Sequence, residues 1–206
     1  MSKVVTVGCL KGGPGKTTLS LILGESLARR YPDRPPPKLI DLDTQGSLTK
    51  IIDRTPGLRI TSTLLGGSRI GQLPKKIIAE SRGQWLTIMD TPPLPVETLD
   101  IAIGVSDFLV AVAEDGIDPI KQGIETMDLS PDTPSAMVIN RVQQSTTSAI
   151  DAHKAVSASG RSVFDHIVYQ WAEIKRIDGS GWPTSPKVLE VIENLTNDFC
   201  KEAGIQ

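Results

Sequence analysis

The segment Lys11-Gly12-Gly13-Pro14-Gly15-Lys16-Thr17-Thr18 carries the strongest signal in this 206-residue chain. It follows a run rich in β-branched residues, Lys3–Cys9, and opens an apolar helical stripe over Gly15–Tyr31. A glycine-rich turn between a strand and a helix directs backbone N–H groups inward, and the helix N-terminus adds partial positive charge. Lys16 supplies a point charge for the β- and γ-phosphates, and the Thr17 hydroxyl can bind Mg²⁺. The stretch therefore predicts a phosphate-binding loop whose eight residues all contribute to the nucleotide site.

The loop departs from the common pattern G-x-x-x-x-G-K-[ST] in one place. The first glycine of that pattern would fall at position 10, which is occupied by Leu10. A second lysine, Lys11, precedes the glycine pair instead. A lysine at the outer edge of the loop reaches its own γ-phosphate less easily than Lys16 does. Its position favours projection from the surface toward a second molecule.

The rest of the chain alternates between β-branched runs and helical stretches. Further strands are predicted at Leu39–Asp43, Trp85–Asp90, Asp107–Ala113, Ser135–Asn140 and Ser162–Tyr169. Further helices are predicted at Pro95–Ser106, Ile117–Met127, Ser145–Ser159 and Ser185–Cys200. Residues 54–75 mix Gly, Pro and Ser with short apolar pieces and predict a loop with one short helix. This alternation predicts one α/β domain over residues 1–206, with a mainly parallel twisted sheet covered by helices on both faces.

Composition narrows the class of protein. Hydrophobic residues make up 39% and charged residues 22%, which is typical of a globular chain. The net charge of −2 does not indicate a strongly basic nucleic-acid binder, although a local basic patch remains open.

The two distant cysteines, Cys9 and Cys200, exclude a disulfide scaffold and are expected to be core or near-core thiols. The chain shows neither a signal-type apolar segment nor a run of about 20 apolar residues, so a cytoplasmic location is expected.

Aspartates follow two of the predicted strands. Asp41 and Asp43 end one strand in the segment Asp41-Leu42-Asp43-Thr44-Gln45-Gly46-Ser47, and Asp90 ends another in Ile88-Met89-Asp90-Thr91-Pro92-Pro93. The carboxyl ends of parallel strands converge on the ligand crevice of such a sheet. Carboxylate and hydroxyl oxygens are the ligands that Mg²⁺ prefers. We therefore expect Thr17, Asp41 and Asp90 to surround Mg²⁺.

These three segments resemble the signature segments of the ParA/MinD family of P-loop ATPases. Lys11–Thr18 is similar to the deviant Walker A box, residues 41–47 to the switch segment, and residues 88–93 to the Walker B segment, in the family's order. The resemblance implies that Lys11 reaches across a nucleotide-sandwich dimer to the partner's phosphates. It also implies that Asp43 positions the attacking water and that Asp90 holds Mg²⁺ through water.

Weaker signals lie in the second half of the chain. Asn140 follows a predicted strand and can read an adenine edge, although a local turn explains it equally well. The resemblance implies a G-x-P element near the base, matched by Gly181-Trp182-Pro183. It also implies basic residues that contact the DNA backbone, for which Lys175 and Arg176 are the candidates, a solvated face being the alternative.

The resemblance implies a homodimer that forms with ATP, uses Mg²⁺ and hydrolyses ATP weakly by itself. It also implies that the ATP-bound dimer binds DNA non-specifically and is associated with the nucleoid. An adaptor protein of ParB-like role would stimulate hydrolysis, so that a plasmid, a chromosome region or a protein assembly is positioned. The chain begins at the phosphate-loop strand, so no upstream helix-turn-helix is expected. The polar face of the final helix carries few lysines, which argues against membrane binding. Two alternatives stay open: an accessory ATPase that docks proteins without DNA, and a metabolic P-loop enzyme of dethiobiotin-synthetase type.

Overall fold

The chain folds around one parallel β-sheet in the computed structural model, which describes residues 2–93, 96–143 and 147–206. Its strands are β1 Lys3–Gly8, β2 Lys38–Asp41, β3 Thr61–Leu64, β4 Leu86–Asp90, β5 Phe108–Ala113, β6 Ser135–Val142, β7 Ser162–Val163 and β8 Val168–Tyr169. The strand order is β3-β2-β4-β1-β5-β6-β7. β7 pairs with the first half of β6, and β8 pairs with residues nearer the end of β6. Within the described residues every strand pairing is parallel.

Helices cover both faces of the sheet. They are α1 Lys16–Arg30, α2 Ser47–Arg54, α3 Leu73–Ser81, α4 Val96–Gly104, α5 Ile117–Asp128, α6 Ser148–Ala158, α7 Ala172–Ser180 and α8 Pro186–Ala203, with a 3₁₀ turn at Ile70–Gln72. Apolar side chains of α1, α2 and α8 share one core cluster with the sheet, and those of α3, α4, α5 and α6 form clusters on the other face. The predicted α/β architecture is confirmed. The first residues of two predicted helices, Pro95 and Ser145, lie outside the described ranges.

The central strand β1 positions the phosphate loop. β1 lies between β4 and β5, and Val7 of β1 is in register with Asp90 of β4. From β1 the chain passes through α1 to β2, which lies on one side of β1 in the strand order. From β4 it passes through α4 to β5, which lies on the other side of β1. The strand order therefore reverses beside β1, where open α/β sheets bind their ligands at the carboxyl ends of the strands.

Two predictions of local structure are wrong. Residues 54–75 contain strand β3 rather than only a loop with a short helix. Its sequence is Thr-Ser-Thr-Leu and it is half-exposed at the sheet edge, so it lacks the apolar run that marks a buried strand.

The predicted strand Ser162–Tyr169 is divided into β7 and β8. Phe164 turns into the core between them, and both the backbone N–H and the ring of His166 contact the Asp198 carboxylate of α8. These contacts draw residues 164–167 away from a continuous ladder. The strand is interrupted because His166 contacts Asp198 of α8, and the alternation of residues within one strand does not reveal a contact of this kind.

The last helix, α8, buries most of the stripe predicted for it. Val188, Ile192, Leu195 and Phe199 are all less than 4% exposed, whereas Leu189 is 37% exposed. The stripe packs on the sheet, as expected. Within the described residues, every helix is too short or too polar to cross a membrane.

Candidate functional site

The phosphate loop turns through two glycines with left-handed backbone angles. Gly13 has φ 104° and Gly15 has φ 93°, and Gly15 is the N-cap of α1. Both angles are strained for residues with a Cβ atom. A Cβ atom on Gly13 would meet no atom within 4 Å, so its side of the loop is open to a ligand. Pro14 between them is buried, whereas Gly12 before them is exposed.

The two lysines of the loop occupy different environments. Lys16 is 6% exposed, and its Nζ donates to the carbonyl of Lys11 at 3.3 Å. Burial lowers the pKa of Lys16, and nearby Asp90 and Asp43 oppose that shift. The Lys11 side chain is exposed. The loop therefore holds one ammonium group inward and presents another outward.

A hydroxyl and a carboxylate meet at the first turn of α1. The Thr17 hydroxyl donates to Asp90 at 2.7 Å, and the Ser20 hydroxyl donates to the other oxygen of the same carboxylate at 3.3 Å. Burial raises the pKa of Asp90 to about 7, while the hydrogen bond from Thr17 and the charge of Lys16 oppose that shift. Oxygen donors of both kinds lie beside the phosphate loop, and this set fits Mg²⁺.

Asp41 holds the end of β2 to the start of α2. One carboxylate oxygen accepts the Asp43 N–H at 3.0 Å and the other accepts the Thr49 N–H at 3.0 Å. Asp41 is fully buried and in register with Asp90 on the neighbouring strand. Burial raises the pKa of Asp41. The structure gives Asp41 a role in organising this segment, and its contact with Mg²⁺ stays a prediction.

Asp43 lies just beyond β2, at the same end of the sheet. Its Oδ1 accepts the Gln45 N–H at 2.9 Å, and its carbonyl accepts the Gly46 N–H at 2.9 Å. The side chain is partly exposed, unlike those of Asp41 and Asp90. Asp43 lies near enough to Lys16 for its charge to oppose the lowering of the Lys16 pKa.

The end of β6 supports the phosphate loop from the opposite side. The Asn140 amide donates to the carbonyl of Pro14 at 2.7 Å, and the Arg141 guanidinium donates to the carbonyl of Gly13. A Cβ atom on Gly15 would lie 2.5 Å from the Asn140 amide nitrogen. Asn140 thus braces the loop, and its contact with an adenine stays a prediction.

A cavity of about 40 Å³ lies beside this brace. It is lined by Thr18, Asn140, Arg141, Gln170, Trp171 and Lys175, among others. The buried indole N–H of Trp171 has no hydrogen-bond partner within the part of the chain that is described. Thr18 of the phosphate loop and Asn140 both border it, so the cavity lies between the start of α1 and the end of β6.

Pro183 is not among the residues that line this cavity. The guanidinium carbon of Arg29 lies 5.1 Å from the ring centroid of Trp182, the residue before Pro183. Arg29 belongs to the last turn of α1. The phosphate loop lies at the first turn of α1, ~20 Å away at 1.5 Å per residue. A Cβ atom on Gly181 would lie 3.4 Å from the carbonyl oxygen of Pro56. The contact of Pro183 with the base stays a prediction.

Lys175 and Arg176, the candidate DNA contacts, are both exposed on α7. Lys175 borders the cavity beside Asn140. Arg176 does not line that cavity, and the contact of both residues with DNA stays a prediction.

Three residues of the site were missed by sequence reasoning. Ser20 lies three residues after Thr17, and helical spacing alone could have placed it beside Asp90. Arg141 was not given a role, although it covers the loop and has φ 61°, the one left-handed angle outside glycine in the described residues. Thr126 of α5 accepts the Leu10 N–H at 3.2 Å. No spacing in the sequence signals this contact across 116 residues.

Comparison with known proteins decides the family. Residues 5–183 match the model of the CobQ/CobB/MinD/ParA nucleotide binding domain. The chain belongs to this family. No curated protein sequence matches the chain at a significant level.

Solved structures of the family share the fold along nearly the whole chain. Cyanothece McdA, as the ATP complex of a variant, superimposes with a TM-score of 0.73 at 18% identity, covering 99% of this chain and 97% of its own. A putative plasmid partition protein from Borrelia burgdorferi bound to AMPPNP gives 0.73 at 16% identity, covering 97% and 98%. The septum site-determining protein MinD from Pyrococcus horikoshii, complexed with Mg-ADP, gives 0.75 at 16% identity, covering 100% and 98%. At these identities the likeness establishes the fold.

Proposed function

We propose that this chain is a ParA-type ATPase that works as a switch between two assembly states. Binding of ATP and Mg²⁺ in the phosphate loop lets two copies dimerise, and the dimer binds DNA non-specifically. An adaptor protein of ParB-like role stimulates hydrolysis, after which the dimer separates and leaves the DNA. Repeated cycles position a cargo, which is a plasmid, a chromosome region or a protein assembly.

The opposite exposure of Lys11 and Lys16 carries this proposal. Lys16 is buried beneath the loop and suits the phosphates of its own subunit. Lys11 is exposed on the outer edge of the same loop. A cation at that edge can neutralise charge on phosphates held by a second copy, as an arginine finger does in other nucleotide hydrolases. A monomeric enzyme would have no evident use for this second lysine.

The other residues take roles that follow from their positions. The loop N–H groups and Lys16 hold the phosphates, and Thr17 and Asp90 hold Mg²⁺, with Asp41 close to them. When bound, Mg²⁺ neutralises charge on the β- and γ-phosphate oxygens. Asp43, on a partly exposed turn, accepts a hydrogen bond from a water molecule and aligns it with the γ-phosphate. Because alignment by Asp43 alone leaves the water weakly activated, a slow intrinsic rate is expected.

The likeness to complexes with ATP, AMPPNP and Mg-ADP supports ATP as the nucleotide. The likeness to a putative plasmid partition protein supports a role in segregation. Lys175 and Arg176 are both exposed, and Lys175 borders the cavity beside Asn140, which supports DNA contacts that depend on the nucleotide state. A dimer would present two copies of this small patch, and the ATP-bound protein would then be associated with the nucleoid.

Two measurements on the wild-type chain test the proposal. Analytical ultracentrifugation should show a monomer with ADP and a dimer with ATP and Mg²⁺. A gel shift on random-sequence DNA should show binding with ATP and little without it. A dimer that never binds DNA would instead support an accessory ATPase that docks proteins. A chain that stays monomeric with ATP would contradict the switch and favour a metabolic P-loop enzyme.

A further inference from the structure

A glycine outside the three signature segments lies against the candidate catalytic turn. Gly66 follows β3, and a Cβ atom built on it would lie 2.2 Å from the carbonyl oxygen of Asp43. The same atom would lie 2.4 Å from the Asp43 carbonyl carbon and 2.7 Å from the Thr44 nitrogen. All three distances are to a single peptide group. Gly66 thus packs flat on the peptide that joins Asp43 to Thr44.

Neither side of this contact can easily retreat. The N–H groups of Leu65 and Gly66 both donate to the carbonyl of Asp41, at 2.8 and 3.1 Å, which fastens the loop after β3 to the end of β2. On the other side, the Asp43 carbonyl accepts the Gly46 N–H at 2.9 Å and closes its turn. A side chain at position 66 must therefore break one of these two sets of bonds. Closely packed segments transmit such a change as a displacement.

The reason for glycine at position 66 is space rather than backbone conformation. Gly66 is not among the glycines with positive φ, so alanine can adopt its backbone angles. Gly67, the next residue, has φ 80°, but a Cβ atom there would meet nothing within 4 Å. The two neighbouring glycines thus separate two requirements, close approach at Gly66 and turn conformation at Gly67.

We infer that Gly66 is a positioning residue for Asp43. Its missing side chain sets how far the Asp43 peptide sits from the sheet, and hence where the Asp43 carboxylate meets the water that attacks the γ-phosphate. The inference rests on the proposed function, because it assigns a role in ATP hydrolysis. The close neighbours of Gly66 belong to the Asp43 turn and to Asp41 rather than to the loop Lys11–Thr18, so nucleotide binding should not depend on it.

Single-turnover hydrolysis of radiolabelled ATP by Gly66→Ala tests the inference. A displacement of roughly 1 Å at a reacting group costs about 100-fold in rate, so we expect that loss in the rate of hydrolysis. The ATP dissociation constant, measured by calorimetry, should stay within about twofold of the wild-type value, because only a step after binding is affected. In an Asp43→Ala background, Gly66→Ala should change the remaining rate little, since the group it positions is gone.

Two glycine variants serve as controls. Gly71→Ala places a methyl group in open space at a residue without a positive φ and should hydrolyse ATP like the wild type. Gly67→Ala strains the same loop without reaching Asp43. If Gly67→Ala lowered the rate as much as Gly66→Ala, general loop stability rather than the contact would be responsible, and the inference would be overturned.

The remaining outcomes separate this inference from the proposed function. Wild-type rates in Gly66→Ala, with hydrolysis intact in the wild type, would overturn the inference alone. Loss of folding by circular dichroism, or loss of ATP binding, in Gly66→Ala would make the residue architectural and would also overturn it. A wild-type chain that binds and hydrolyses no ATP would overturn both proposals.

Discussion

The Thr17 hydroxyl donates a 2.7 Å hydrogen bond to the Asp90 carboxylate, across 73 residues of sequence. This bond ties the first turn of α1 to the end of β4. It places a hydroxyl oxygen and a fully buried carboxylate side by side next to the phosphate loop. Burial raises the pKa of this carboxyl group although Lys16 lies near it, so a divalent cation bound here would stabilise the charged form.

Asp90→Asn should weaken ATP binding only where Mg²⁺ takes part. The amide keeps an oxygen for the Thr17 hydroxyl but removes the negative charge that attracts the cation. We expect a loss of roughly 10- to 100-fold in affinity with Mg²⁺ present, the usual size for a group that orients or supports a metal. Calorimetric titration in Mg²⁺ and again in EDTA measures both affinities. Equal losses in the two buffers would show that Asp90 acts on the fold rather than on the metal.

Lys16→Ala should abolish detectable ATP binding. Lys16 is the buried cation beneath the loop, and we expect a loss of at least about 100-fold, because hydrogen bonds between charged groups contribute most in partly desolvated sites. The measurement is a calorimetric titration with ATP and Mg²⁺. Lys50→Ala removes an exposed lysine of α2 and serves as the matched control. Retained affinity in Lys16→Ala would refute its assignment.

Lys11→Ala should separate nucleotide binding from dimerisation. Lys11 is exposed, so its removal should leave the ATP affinity of the monomer within about threefold, as for other exposed charges. The ATP-dependent dimer and the hydrolysis rate should both fall, by about 10³-fold in rate if Lys11 acts like an arginine finger. Sedimentation velocity and a phosphate-release assay check these outcomes. A variant that dimerises and turns over like the wild type would show that Lys11 is an ordinary surface lysine.

The double variant Lys175→Ala with Arg176→Ala should weaken ATP-dependent DNA binding and reduce its dependence on salt. Each DNA phosphate that the dimer no longer neutralises lowers the slope of log affinity against log salt by about one. Gel shifts on random DNA over a range of salt concentrations give that slope. Lys75→Ala with Lys76→Ala, on α3, is a control that also removes two positive charges. Equal weakening in both double variants would indicate a net-charge effect rather than a patch that touches DNA.

Phe199→Ala should destabilise the fold strongly because α8 covers one face of the sheet. Phe199 is 0% exposed within the main core cluster, and such a truncation costs about 3–5 kcal/mol of unfolding free energy. Leu189→Ala, on the same helix but 37% exposed, should cost about 1 kcal/mol or less. Urea unfolding followed by circular dichroism measures both values. Similar losses in the two variants would contradict the packing of α8.

Local sequence alone was enough for the phosphate loop and the central strands. The glycines, Lys16 and Thr17 lie within one turn between β1 and α1, and loop chemistry of this kind depends on residue order rather than on distant contacts. The strands around β1 are buried on both faces, so their continuous apolar runs could be recognised. Asp41 and Asp90 end neighbouring strands and Asp43 follows Asp41 closely, because parallel strands share the direction of their carboxyl ends.

How these elements meet depends on contacts between residues that are distant in sequence. The edge strand β3 is mostly polar and half-exposed, so its sequence lacks the apolar run that marks a strand. Its backbone pairing with β2 makes it a strand. Segment 181–183 resembles a base-binding element, but its Trp182 packs at the far end of α1. Asn140 braces Pro14, and Gly66 lies on the Asp43 peptide, through approaches between residues distant in sequence. Contacts of this kind depend on how helices and loops pack over the sheet, and a pattern read along one chain carries no information about such packing distances.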